Sequence, residues 1–179
     1  MAFYSAGVEY GIHCLLFLVD GLGDSREASV RDLADLQGVP QDYLAKIFTK
    51  LAKAGLVTAT EGIRGGFKLA RHSQDISVLD IVLAIDGRKA MFECREIRGR
   101  CALFEGDAPP WATDGTCAVH GAMIAAQKRM EEVLSQQTIL DLALKFGRKA
   151  PAEFSSGVND WMESRRGGRG TVPLVDVTD

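Results

Sequence analysis

Two groups of residues in this chain have the types and spacing of metal ligands. Glu9 and His13 are four residues apart in a helical stretch, so both side chains leave the same helix face one turn apart. Cys94, Cys101 and Cys117 gather in a polar, irregular region, and His120 follows Cys117 by three residues. Thiolates are soft and lose their proton on binding metal, which suits zinc or an iron–sulfur cluster, and imidazole or carboxylate can complete a mixed set. Each group also has a plainer reading. Glu9 and His13 would be an exposed pair of little energetic weight. The cysteines would be thiols open to oxidation. Cys117 and His120 share a helix face, as a Cys/His enzyme would require, but no oxyanion loop or second acid accompanies them. Cys14, inside the apolar run CLLFLV, reads as core.

The elements that must carry these residues are legible in order. Val8, Ile12, Leu15, Leu16 and Val19 recur at helical spacing and predict a first helix from about Tyr4 to Gly21. Ser29 caps a short helix, Val30 to Gln37, which stops at Gly38, and Val39-Pro40 starts another from about Gln41 to Ala54. In that third helix Leu44, Ile47, Phe48 and Leu51 face inward, while Lys46, Lys50 and Lys53 lie opposite. Two short helices joined by a tight turn form a helix-turn-helix, whose second helix enters the major groove. Gln41, Tyr43, Lys46 and Lys50 are its expected DNA contacts. Two alternating segments then flank Glu61-Gly62-Ile63-Arg64-Gly65-Gly66, a glycine-rich hairpin that reads as a wing. Arg64, Gly65, Gly66 and Lys68 are its expected contacts, with Arg64 in or beside the minor groove.

A further helix spans Ile76 to Ile85 with Ser77 as cap, and Arg88 to Thr116 is loop-like, long enough to suggest a function. A long helix from Cys117 to about Gln136 has more apolar surface than one small domain needs. It reads as a dimerisation helix, as a partner for the first helix, or as both. Thr138 to Leu144 forms a last short helix. The fold class is therefore mainly α with a small β-hairpin wing. Residues 1–87 form the winged helix-turn-helix domain, 88–117 a ligand-binding loop, 118–146 the dimerisation and terminal helices, and 147–179 a mobile tail in which Trp161 could dock.

Composition agrees. The 179 residues are 46% hydrophobic and 25% charged, as for a globular chain with a real core. The net charge of −3 conceals an asymmetry. Ser29 to His72 holds seven basic residues against four acidic ones, so basic charge collects where phosphates would lie. The apolar run near the start is far short of a membrane span. No secretory signal is evident, and a cytoplasmic location is expected.

GVEYGIH, VPQDYLAKIFTKLAKAGLV, GIRGGFKLAR, ISVLDIVLAIDG and the cysteine loop together resemble the Rrf-two (BadM-type) winged-helix regulators, over about Met1 to Leu144. The resemblance implies a homodimer on a palindromic operator in double-stranded DNA, with an iron–sulfur cluster near the dimer interface. The usual family pattern has three loop cysteines, and here the gap between Cys101 and Cys117 is longer than that pattern. FECREIRGRC and CAVHGAM look closer to a subgroup holding a [2Fe–2S] cluster by two loop cysteines plus glutamate and histidine from the partner's first helix. Those positions fall here on Cys94, Cys117, Glu9 and His13, with Cys101 and His120 as alternates. The implied function is a regulator sensing redox, iron–sulfur or nitric-oxide-type stress. The alternative is a cluster-free regulator of the same fold that responds through thiol oxidation or a small ligand.

Overall fold

Alternating caps and apolar stripes place most helices where the spacing predicts. The computed structural model describes residues 2–20, 23, 25–60 and 65–166. Helix α1 runs Ala6–Leu16, α2 Val30–Gln37, α3 Gln41–Lys53, α4 Val78–Asp86, α5 Pro110–Thr113, α6 Ala118–Ser135, α7 Ile139–Gly147 and α8 Ala152–Arg166. Strands β1 (Val57–Ala59) and β2 (Phe67–Leu69) pair antiparallel, with Val57 opposite Leu69 and Ala59 opposite Phe67. Side-chain caps explain the sharpest boundaries. The Ser29 hydroxyl accepts from the Asp32 N–H, and full capping boxes, Ser77 with Asp80 and Thr138 with Asp141, start α4 and α7. Gly38, at φ 69°, closes α2 in the left-handed conformation a side chain would resist.

The core is built from α1, α2, α3, α4 and the hairpin. Leu15, Leu33, Leu44, Phe48, Leu51, Leu56 and Ile81 are fully buried. Gly11 makes this possible at one point: a Cβ there would meet the Ile85 side chain at 2.5 Å, so α1 lies on α4 closer than any other residue would allow. Cys14 is fully buried and burial pushes its thiol up to about 12, which leaves it an inert core group.

The first helix is shorter than its apolar stripe. Leu18 and Val19 remain buried but leave the helix, because Arg26 N–H donates to the Leu18 carbonyl and Val19 bridges Ser25. The tail differs more. Ala152–Arg166, read from sequence as part of a mobile segment, is helical. Met162 is buried, and Val158 and Trp161 pack against the core. Arg165 stacks over the Trp161 ring at 4.4 Å and pairs with Asp35 of α2 at 2.7 Å. The apolar members of α8 are too few and too spaced to read as a stripe, and the partner of Arg165, Asp35, lies 130 residues away.

Seating of α8 through one buried side chain gives a direct expectation. Met162→Ala should cost roughly 2 kcal/mol, read as a lower urea midpoint; an unchanged midpoint would mean that the helix is not packed on the core.

Candidate DNA-binding face and cysteine centre

The DNA-facing half begins with α2, the turn at Gly38 and α3. Val39 N–H donates to the Ala34 carbonyl and Leu44 N–H to that of Pro40, which fixes how α3 leaves the turn. Burial of Leu44, Ile47, Phe48 and Leu51 then turns Gln41, Ala45, Lys46 and Thr49 outward. Gln41 and Lys46 are therefore free to meet a groove. Tyr43 is 41% exposed, but the edge of its ring meets Tyr10 of α1 at 5.8 Å, so it also joins α3 to α1. Lys50 donates to the Ile85 carbonyl at 2.6 Å and so satisfies the C-terminal end of α4. Lys50 is exposed, and this bond competes with the DNA contact expected of it.

In the wing, Gly65 and Gly66 lead into β2 and Lys68 lies within it, whereas Arg64 falls outside the described residues. Gly66 has an internal reason to be glycine. A Cβ there would meet the Ala28 carbonyl oxygen at 2.6 Å, and next to it Phe67 exchanges both backbone hydrogen bonds with Ala28. The glycine thus admits a third segment to the hairpin. Lys68 is exposed at the centre of β2.

The cysteine-bearing half centres on a residue that the spacing of cysteines did not point to. Arg98 donates to both carboxylate oxygens of Glu96, at 2.6 and 2.8 Å, and to the carbonyls of Thr113, Asp114 and Gly115 at 3.0–3.2 Å. Glu96 holds a left-handed backbone at φ 45°. Its hydrogen bond from Arg98 lowers its carboxyl pKa. The same bond, donated to Glu96, raises that of Arg98, with Cys117 and Cys94 adding electrostatically in the same direction. Cys94 and Cys117, each two residues outside the segments that Arg98 bridges, are both half-buried. Cys101 is exposed and follows the short Ile97–Arg100 turn. His120 is half-buried against the Phe92 ring, at 6.2 Å.

Glu9 and His13 stand exposed on α1. Among the described residues of one chain, no group of three or more His, Cys, Asp or Glu is placed to hold a metal ion. Arg98 ties together the loop ends that carry Cys94 and Cys117, and Glu9 and His13 stand on a separate face. Beside that face a cavity of about 540 Å³ opens between the end of α1, α2, α7 and α8, with His13, Phe17, Phe146, Phe154 and Val158 in its walls.

The start of α1 is fixed by Asp86, at the end of α4. The Asp86 carboxylate accepts from Ser5 N–H at 2.8 Å, from Ser5 Oγ at 2.6 Å and from Lys89 Nζ at 2.7 Å. Burial alone would raise its pKa, but the bonds from Lys89 and Ser5 prevail and bring it to about 2.

A helix-turn-helix with a basic outward face, followed by a glycine-bearing hairpin, defines a winged-helix DNA-binding protein. Residues 4–145 match the Rrf2 family, described as an iron-dependent transcriptional regulator. The chain belongs to that family, and it is a transcriptional regulator rather than an enzyme. It is 35% identical over 133 residues to the rrf2 protein of Nitratidesulfovibrio vulgaris Hildenborough, covering 74% of this chain and 81% of that one. It is 31% identical over 166 residues to a Mycobacterium tuberculosis protein assigned as an HTH-type transcriptional regulator, covering 92% of this chain and 94% of that one. The fold is shared with CymR, the global cysteine regulator of B. subtilis, at a TM-score of 0.61 and 24% identity over 81% of this chain and 98% of that one. It is shared too with the T. potens IscR, at 0.60 and 24% over 84% and 93%. Among the described residues no helix is long and apolar enough to cross a membrane.

Two predictions follow from these contacts. Lys46→Ala should weaken operator binding and reduce the salt dependence by about one phosphate contact, whereas Lys50→Met should leave the slope unchanged; equal slopes for the two variants in a salt titration would contradict the assignment. The lowered pKa of Asp86 means that its contribution to stability is full above the ordinary carboxylate pKa and is lost as pH falls from about 4 through about 2. Asp86→Asn should therefore cost roughly 2 kcal/mol at pH 7, and the difference from wild type should shrink across that acid window in denaturant titrations.

Proposed function

We propose that this regulator acts as a homodimer on a palindromic operator, and that it reports redox or nitric-oxide-type stress through an iron–sulfur cluster, most simply [2Fe–2S], shared between the two copies. Cys94 and Cys117 of one copy and Glu9 and His13 of the other would hold the cluster. The observation that carries this reading is the Arg98 bridge between the loop ends that bear Cys94 and Cys117, while Glu9 and His13 stand exposed on a helix whose opposite face is core. Two thiols alone make half a ligand set, and an acid and an imidazole on a separate outward face make the other half. A second copy is suggested by α6, an 18-residue helix with no buried residue and with Val119, Met123, Ile124 and Val133 exposed. When bound, such a cluster supplies one-electron redox chemistry, and a histidine ligand couples it to a proton near neutral pH.

The protein's own contacts supply a route from that site to DNA. Glu9 and His13 share α1 with Tyr10, which meets Tyr43 of the reading helix, and with Gly11, which seats α1 against Ile85 of α4. Lys50 of α3 in turn holds the Ile85 carbonyl. A small shift of α1 therefore bears on α3 at both its ends and would change the spacing of two reading heads over half-sites about one helical turn apart. The alternative, a cluster-free regulator responding to thiol oxidation or a small ligand, draws support from exposed Cys101 and from the apolar cavity beside His13.

Protein purified without oxygen should contain iron and acid-labile sulfide, and its visible spectrum should bleach with dithionite. Cys94→Ser and His13→Ala should each lose the cluster, whereas Cys101→Ser should keep it. Refolding those two defective variants together should restore on the order of a quarter of the sites, because each mixed dimer carries one intact set. Colourless, iron-free protein after reconstitution would overturn the reading in favour of the cluster-free one, in which a Cys94–Cys101 disulfide would need both thiols.

A further inference from the structure

We propose that Arg98 is a positioning residue for the cysteine pair: its guanidinium clasps the two ends of the loop so that Cys94 and Cys117 are held side by side before anything binds them. Only the idea that these two thiols act together is taken from the reading above; the clasp itself needs no metal.

The argument is geometric. Arg98 grips Glu96 on one side through a two-bonded fork and the consecutive carbonyls of Thr113, Asp114 and Gly115 on the other. Cys94 lies two residues before Glu96, and Cys117 two residues after Gly115. The clasp therefore closes a loop of about twenty residues immediately inside the two thiols, and its entropic cost would otherwise fall on whatever brought them together. Between the jaws Phe104 meets Trp111 edge to face at 5.9 Å, and Trp111, Leu103 and Ile97 remain largely exposed. Among the described residues none between Gly87 and Gln137 belongs to the buried core, so apolar packing is a weak means of closing this segment. Hydrogen bonding has to do it, and three carbonyls converging on one planar cation require a fork of several N–H groups. Lysine has the charge but lacks that fixed geometry. Glu96 completes the fit by taking up a left-handed backbone, which turns its carboxylate back onto Arg98.

The test uses full-length, chelator-treated, reduced protein carrying Cys101→Ser, so that Cys94 and Cys117 are the accessible thiols while Cys14 is buried. The probe is dibromobimane: each thiolate displaces one bromide, two thioethers form, and strong fluorescence appears only when both ends have reacted. Monobromobimane measures the reactivity of single thiols in parallel. Arg98→Lys and Arg98→Met should slow the cross-linking step at least roughly fivefold through loss of effective concentration, with Arg98→Lys leaving monobromobimane labelling close to wild type. Glu96→Gln, which keeps the bonds to the three carbonyls, should fall between. Circular dichroism and a thermal melt confirm that the winged-helix body is folded in each variant. Cross-linking at the wild-type rate in both Arg98 variants would overturn the clasp. So would a loss in Arg98→Met alone, since charge and not the fork would then be responsible. If cross-linking falls in both while anaerobic iron content is unchanged, the clasp stands and the cysteine ligand set proposed above fails.

Discussion

Helix α1 can do two jobs only because it lies so close to α4. The missing side chain at Gly11 lets the Ile85 methyl occupy the space a Cβ would need. Asp86 then anchors the start of α1 through two hydrogen bonds from Ser5, while Lys89 holds the same carboxylate from its other side. With one face pressed into the core, the helix must present Glu9 and His13 outward, and with Tyr10 against Tyr43 it must also touch the reading helix. A core this dense has few intermediate positions, so a displacement of α1 is more readily passed on than absorbed. That property would suit the ligand role proposed for Glu9 and His13.

The other half of the centre is built on the opposite plan. From Gly87 to Gln137 no described residue enters the buried core, and α6 is attached to the body largely along α4, with Gln127 bonding to Met91 N–H and the Lys89 carbonyl. Polar bonds, led by those of Arg98, give this segment its shape. Polar bonds in water contribute modest net stability, so such a segment is easier to rearrange than the α1–α4 contact. The first helix is thus stiff and the loop adjustable, and α8, braced on α2 through Arg165, adds stiffness to the DNA-reading side.

Sequence periodicity located the helix-turn-helix almost to the residue. Ser29, Gly38, Ser77 and Thr138 act on backbone groups within a few positions, and the Leu44–Phe48–Leu51 stripe states its buried face locally. Where the reading departed from the structure, a distant partner had intervened. Leu18 and Val19 look helical, but residues 25 and 26 take their backbone groups. Lys50 looks like a residue with one role, but its bond to the Ile85 carbonyl gives it a part in holding the fold as well. The segment 152–166 looks like a tail until Asp32 and Asp35 meet Arg165.

The candidate centre divides in the same way. That Glu9 and His13 share a face, and that three cysteines cluster near a helix start, follows from spacing alone, because the helix repeat is a local property. Which cysteines are brought together is not local. It depends on Arg98 reaching carbonyls fifteen to seventeen residues ahead, and nothing in the order of four arginines between Arg88 and Arg100 marks that one. The sequence by itself determined the DNA-reading module and the chemical types available for sensing. Only the tertiary structure decided which side chains are already spent on holding the fold and which remain to bind, since hydrogen bonds between distant segments leave no period in the chain.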